Sequence, residues 1–65
     1  MRVWQVYGHN RTAKDAAQEF ARTHWAEPRK ITGFKADNTF KLVRGLRTYR
    51  VFLEGELWVI EVVGE

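Results

Sequence analysis

Basic side chains are concentrated in the middle of this 65-residue chain, where they are suited to binding anionic groups. Residues 29–50 contain Asp37 as the only acidic residue and seven basic residues, namely Arg29, Lys30, Lys35, Lys41, Arg44, Arg47 and Arg50, so the segment has a net charge of +6. Residues 51–65 contain four glutamates and no basic residue. Such polarity can steer an anionic partner, although solvated strands also carry charges of this kind.

The residue types that usually carry catalysis do not form a recognisable pattern. The chain has no cysteine and no serine, which excludes disulfides, thiolate metal sites and the commonest nucleophiles. His9 and His24 have no second ligand or orienting carboxylate at a recognisable spacing. Glu54 and Glu56 flank a predicted turn, where exposed acids are ordinary. We therefore predict a protein that is not an enzyme, without catalytic residues, a metal site or a cofactor.

A single amphipathic helix is predicted to begin at Thr12. Thr12 and Asp15 have the spacing of a capping box, in which each residue bonds to the backbone amide of the other. Pro28 is expected to end the helix, because it restricts the preceding residue and lacks an amide hydrogen. The apolar stripe recurs at helical spacing and consists of Ala13, Ala16, Ala17, Phe20, Ala21 and His24. His24 is interpreted as a partly buried structural ring of this stripe.

The remaining apolar segments are predicted to be strands. Arg2–Tyr7 forms the first strand, residues 30–35 an irregular or edge strand, and residues 39–44 the next one. Residues 47–63 form a hairpin whose two-residue loop is Glu54 and Gly55, with Gly55 supplying a positive φ. The predicted fold class is α+β, a single domain over residues 1–65 in the order β-α-β-β-β(-β). One helix packs on one face of a mostly antiparallel sheet.

The hairpin loop determines which side chains share a face. With a two-residue loop, Val51 lies opposite Trp58 and Tyr49 opposite Ile60, whereas a three-residue loop would exchange the pairings. The side facing the helix is predicted to form the core from Trp4, Phe20, Tyr49, Val51, Trp58 and Ile60. The other side is predicted to project Lys41, Val43, Thr48, Arg50, Phe52, Leu57 and Val59.

The outward side suggests nucleic-acid binding through a basic sheet face and turn, within residues 35–52. Lysine and arginine bind phosphates, and an aromatic ring can stack on a base of a single strand. The predicted site residues are Lys35, Lys41, Arg44, Arg47, Arg50 and Phe52.

The apolar residues of the same side support an alternative, a protein-interaction or homodimerising module that acts as an adaptor or inhibitor. Phe52, Leu57 and Val59, with Val43, would form an exposed apolar patch that a partner chain covers. No apolar run approaches the ~20 residues of a membrane span. Because the N-terminal residues also lack the features of a signal peptide, we expect a cytoplasmic protein that does not enter a membrane.

Overall fold

The computed structural model describes residues 1–23 and 29–64. Across these ranges the chain forms one helix and five strands, with all strand pairs antiparallel. The elements are β1 (Arg2–Tyr7), α1 (Ala13–Thr23), β2 (Ile31–Thr32), β3 (Thr39–Leu42), β4 (Thr48–Glu54) and β5 (Leu57–Gly64). The strand order is β1-β5-β4-β3-β2. The predicted fold class, one helix on one face of an antiparallel sheet, is confirmed.

The capping box at the start of α1 forms as predicted. The amide of Asp15 donates to Thr12 Oγ1 over 3.1 Å, and the amide of Thr12 donates to Asp15 Oδ2 over 3.0 Å. The buried stripe of α1 consists of Ala16, Ala17, Phe20 and Ala21. The small alanines let the helix lie close to the sheet. The predictions for His24 and Pro28 lie outside the described residues.

The β4–β5 hairpin has a two-residue loop, but the loop is not the predicted pair. Its residues are Gly55 and Glu56 rather than Glu54 and Gly55, so Val51 lies opposite Ile60 and not Trp58. Gly55 becomes the first loop residue, with a φ of 61°, and glycine is the residue that two-residue hairpin loops commonly take there. The register differs from the prediction by two residues. A shift of two leaves every side chain on its predicted face.

The core is centred on Phe20, which is fully buried. Its ring lies 5.2 Å from the ring of Tyr49 and 5.7 Å from that of Trp4. Of the six predicted core residues, Phe20, Tyr49, Val51 and Ile60 are buried, while Trp4 and Trp58 are partly buried and pack against them. Trp58 stays near the margin, where its indole Nε1 donates to the carbonyl of Arg11 over 2.9 Å.

The short strands β2 and β3 end where the backbone adopts positive φ angles. Gly33, with a φ of 64°, follows β2, which makes this edge strand shorter than the predicted residues 30–35. β3 ends at Leu42 rather than residue 44, because Arg44 has a φ of 67° and the amide of Gly45 donates to the carbonyl of Leu42. Within the described ranges, no helix is long and apolar enough to cross a membrane.

Candidate functional site

The strand register places Lys41 on the face of the sheet that points away from α1, which we call the outer face. Phe40 and Leu42 are buried against the helix side, so the residue between them points outward. Thr39 also points outward and lies opposite Arg50 of β4. The outward placement of Lys41, Thr48, Arg50 and Phe52 therefore agrees with the sequence prediction.

A cleft of about 270 Å³ opens on the outer face between β2, β3 and β4. We call it the threonine–lysine cleft, because Lys35, Lys41 and three threonine residues line it, namely Thr32, Thr39 and Thr48. Hydroxyl groups and ammonium groups are both donors to phosphate oxygens. The cleft therefore has the composition of a site for an oxyanion.

The turn between β2 and β3 fixes Lys35 at the rim of this cleft. The amide of Asn38 donates to the carbonyl of Lys35, and the amide of Lys35 donates to the carbonyl of Thr39, each over 2.9 Å. Asp37 lies in the same turn and accepts hydrogen bonds from the hydroxyl and the amide of Thr39. These bonds, helped by nearby Lys35, hold the pKa of Asp37 below its ordinary value. The carboxylate thus stays charged and offsets part of the charge of Lys35.

A second cleft, of about 300 Å³, lies beside residues 43–47, which connect β3 to β4. We call it the arginine cleft, because Arg29, Arg44 and Arg47 line it together with Leu46 and the edges of Leu42 and Tyr49. Leu42 and Tyr49 belong to the core, so this cleft opens towards the helix side of the sheet. The two clefts therefore open on opposite faces of the sheet.

Backbone hydrogen bonds hold the arginine cleft together. The amide of Arg29 donates to the carbonyl of Ala21 at the end of α1, over 2.9 Å. The amide of Val43 donates to the carbonyl of Lys30 over the same distance, which joins the connection to the segment before β2. Arg29 is brought beside Arg44 and Arg47 by these contacts, although it is far from them in the sequence.

The β3–β4 connection is tight, and its backbone is strained at Arg44. A Cβ atom on Gly45 would lie 3.1 Å from the carbonyl oxygen of Leu42, which is tighter than nine in ten real Cβ contacts. Arg44 has a φ of 67°, in the left-handed region where glycine or asparagine is usual. Such strain, typically about 1–3 kcal/mol, tends to occur at functional positions.

Arg50 and Phe52, the other two predicted site residues, are engaged within the protein. Arg50 forms an ion pair with Glu61, its neighbour across β4 and β5. The guanidinium carbon of Arg2 lies 6.0 Å from the centre of the Phe52 ring, while the same guanidinium pairs with Glu54. Phe52 is partly buried, so its ring is not an open platform for a base.

The predicted apolar patch on the outer face is largely enclosed by the protein itself. Val59 is only 1% exposed, because it lies between Gln5 of β1 and Phe52 of β4 in the register. Leu57 is partly buried. Val43 is 43% exposed, but it lies beyond the end of β3. Val59 therefore cannot provide the exposed contact surface that the sequence pattern suggested.

The structure thus divides the predicted site residues into three groups. Lys35 and Lys41 share one cleft, Arg44 and Arg47 share the other, and Arg50 and Phe52 lie in neither. Sequence reasoning missed Arg29 and the threonine residues as site residues. The alternation of the predicted strands could have indicated Thr39 and Thr48, whereas Arg29 reaches the cleft only through tertiary contacts. The described residues contain no cluster of ligands suited to a metal ion.

Comparison of the chain with protein-family models, curated proteins and solved structures found no significant match.

Proposed function

We propose that this protein is a binding protein for nucleic acid and that it uses the basic end of its sheet. The basic end comprises the threonine–lysine cleft and the arginine cleft, together with residues 43–47, which border the arginine cleft. The observation that carries the proposal is the presence of two open clefts lined by cationic side chains, one on each face of the sheet around β3 and β4. A chain of phosphates passing this end would meet cations on both sides.

The chemistry of the clefts is appropriate for phosphate groups. Lysine binds phosphate as a compact charge, and the planar guanidinium of arginine can donate two parallel hydrogen bonds to it. The hydroxyls of Thr32 and Thr48 add neutral donors, which are common among contacts to the nucleic-acid backbone, whereas the hydroxyl of Thr39 already donates to Asp37. A site of this composition recognises the backbone rather than the bases.

The distribution of ion pairs also favours the basic end. Arg2, Arg11 and Arg50 pair with glutamates and have most of their charge offset locally. Neither Lys41 nor Arg44 forms an ion pair with a residue of 1–23 or 29–64. The charges of these two side chains are not offset in this way, so they can attract an anionic polymer.

The experiment that tests the proposal is a salt titration of two matched lysine variants. Lys41→Gln removes a charge from the threonine–lysine cleft, while the control Lys14→Gln removes one from the exposed side of α1. Binding to a fluorescently labelled 20-base-pair duplex is measured by anisotropy at several salt concentrations. For Lys41→Gln the slope of log affinity against log salt should flatten by about 0.9, the contribution of one phosphate contact on duplex DNA. For Lys14→Gln it should not change.

Two outcomes would contradict the proposal. One is a parent protein that shows no measurable affinity for duplex or single-stranded nucleic acid at low salt. The other is an equal effect of both lysine substitutions, which would mean that net charge alone, and not the basic end, determines binding. Urea unfolding of both variants checks that they remain folded.

A further inference from the structure

Leu46 is an exposed apolar side chain in the most basic turn of the protein. It is 81% exposed and lies between Gly45 and Arg47 at the border of the arginine cleft. Single exposed leucines are common on protein surfaces, so exposure alone does not indicate a role. The position of Leu46 within a turn that also contains Arg44 and Arg47 is the informative feature.

The turn that carries Leu46 is held in place by its own backbone. The amide of Gly45 donates to the carbonyl of Leu42 over 2.8 Å, and the amide of Val43 is bonded to the carbonyl of Lys30. Leu46 directly follows this hydrogen-bonded segment and borders the arginine cleft.

The aromatic residues at the clefts are not arranged for stacking on a single strand. Phe40 in the threonine–lysine cleft is 1% exposed, and Tyr49 in the arginine cleft is 5% exposed. Binding of single strands usually depends on exposed aromatic rings that stack on bases. Duplex DNA instead offers two phosphate backbones on either side of a groove, and the two cationic clefts lie on two faces of the sheet.

We propose that Leu46 is an apolar wedge that enters the minor groove of duplex DNA and partly separates two stacked base pairs. The inference rests on the proposed function, because it requires the basic end to hold the phosphates that flank the groove. Leucine is among the side chains that minor-groove proteins insert between base steps, which kinks the duplex by 20–90°. Arg44 and Arg47 would contact the backbone or the floor of the narrow groove beside it.

The test compares two leucine substitutions at opposite ends of the hairpin strands. Leu46→Ser removes the wedge, and Leu53→Ser changes a leucine that is 55% exposed near the other end of β4. The probe is a 20-base-pair duplex that carries 2-aminopurine at a central TA step and a donor and an acceptor dye at its ends. The parent and Leu53→Ser should raise the 2-aminopurine emission at least twofold and increase energy transfer. Leu46→Ser should do neither, while it still binds the duplex with the salt dependence of the parent.

The outcomes separate the wedge from the proposed function. If the parent binds the duplex but changes neither signal, the wedge is overturned and backbone binding stands. If Leu46→Ser unstacks and bends the duplex as well as the parent does, the wedge is also overturned. If the parent binds single strands but not the duplex, the wedge is overturned and the proposed function stands. If the parent binds no nucleic acid, whether or not it binds a protein partner, both the wedge and the proposed function are overturned.

Discussion

At the scale of single residues, Arg44 has an unfavourable backbone conformation but a side-chain charge that is favourable for binding an anion. A residue other than glycine in the left-handed region lowers the stability of the folded protein by about 1–2 kcal/mol. Glycine avoids this cost but lowers stability by about 0.5–1 kcal/mol, because it has more conformational freedom to lose on folding. Arg44→Gly should therefore leave the free energy of unfolding unchanged or raise it by up to about 1.5 kcal/mol. The same substitution should weaken binding to duplex DNA, since it removes a cation from the arginine cleft.

The matched control for this prediction is Arg47→Gly. Arg47 is not among the residues with a positive φ, so glycine brings no relief there and should lower stability. Urea unfolding and anisotropy on the same samples measure both quantities. A large loss of stability in Arg44→Gly would show that the arginine side chain, and not its backbone strain, dominates at this position.

Single-residue contacts were the part of the candidate site that the sequence could not provide. Arg50 and Phe52 were correctly predicted to point outward, yet Glu61 pairs with Arg50 and Arg2 covers Phe52. These partners lie 11 and 50 residues away in the chain, and only the register of β1, β4 and β5 brings them together. A pattern of alternation predicts the face of a side chain, but not which neighbour it meets there.

At the scale of elements, the capping box determines how α1 responds to acid. Thr12 holds the pKa of Asp15 below its ordinary value, first through the backbone amide of Thr12 and then through its hydroxyl. Because the folded protein binds this proton less readily than the unfolded chain, the contribution of Asp15 to stability is fully present above the pKa of an unfolded aspartate, about 3.9. It is lost as the pH falls through the lower pKa of the folded state.

Two substitutions test the capping box. Thr12→Ala should lower the free energy of unfolding by about 1 kcal/mol at neutral pH, a typical value for the loss of such a cap. Asp15→Asn should reduce the loss of stability between about pH 4 and pH 2, because the group that takes up the proton is gone. Thermal unfolding by circular dichroism over that range is the measurement, with Lys14→Gln as a control on the same turn. An unchanged acid dependence in Asp15→Asn would contradict the assignment.

The elements also explain how much of the fold was predictable. The helix start and both faces of the β4–β5 hairpin follow from local features, namely Thr12 with Asp15 and the alternation around Gly55. The loop pair was misplaced, since Glu54 and Glu56 both suit a turn and the sequence does not decide between them. The end of β3 was missed because it depends on a positive φ at Arg44, which arginine does not signal.

At the scale of the whole molecule, charge separates along the sheet. The acidic loop with Glu56 lies at one end of β4, and the arginine cleft lies at the other, beyond Thr48. The exposed large apolar residues of the described ranges lie at both ends of the sheet, with Met1, Val43, Leu46 and Val63 towards Thr48 and with Tyr7 and Leu53 towards the β4–β5 loop. Among the described residues, the outer face between these ends does not carry the exposed apolar patch that the sequence pattern suggested.

We therefore expect a monomer in solution, in contrast to the homodimer that the sequence pattern suggested as an alternative. A stable interface buries about 800 Å² per partner, which is a large share of a total surface of 4530 Å². Sedimentation velocity from about 5 to 200 µM should give one species with the mass of a single chain. Phe52→Asp should lower stability, because it removes the ring that lies beside Val59 and under Arg2, and should leave the mass unchanged. A dimer that Phe52→Asp dissociates while the free energy of unfolding of the monomer stays the same would show that the outer face is an interface after all.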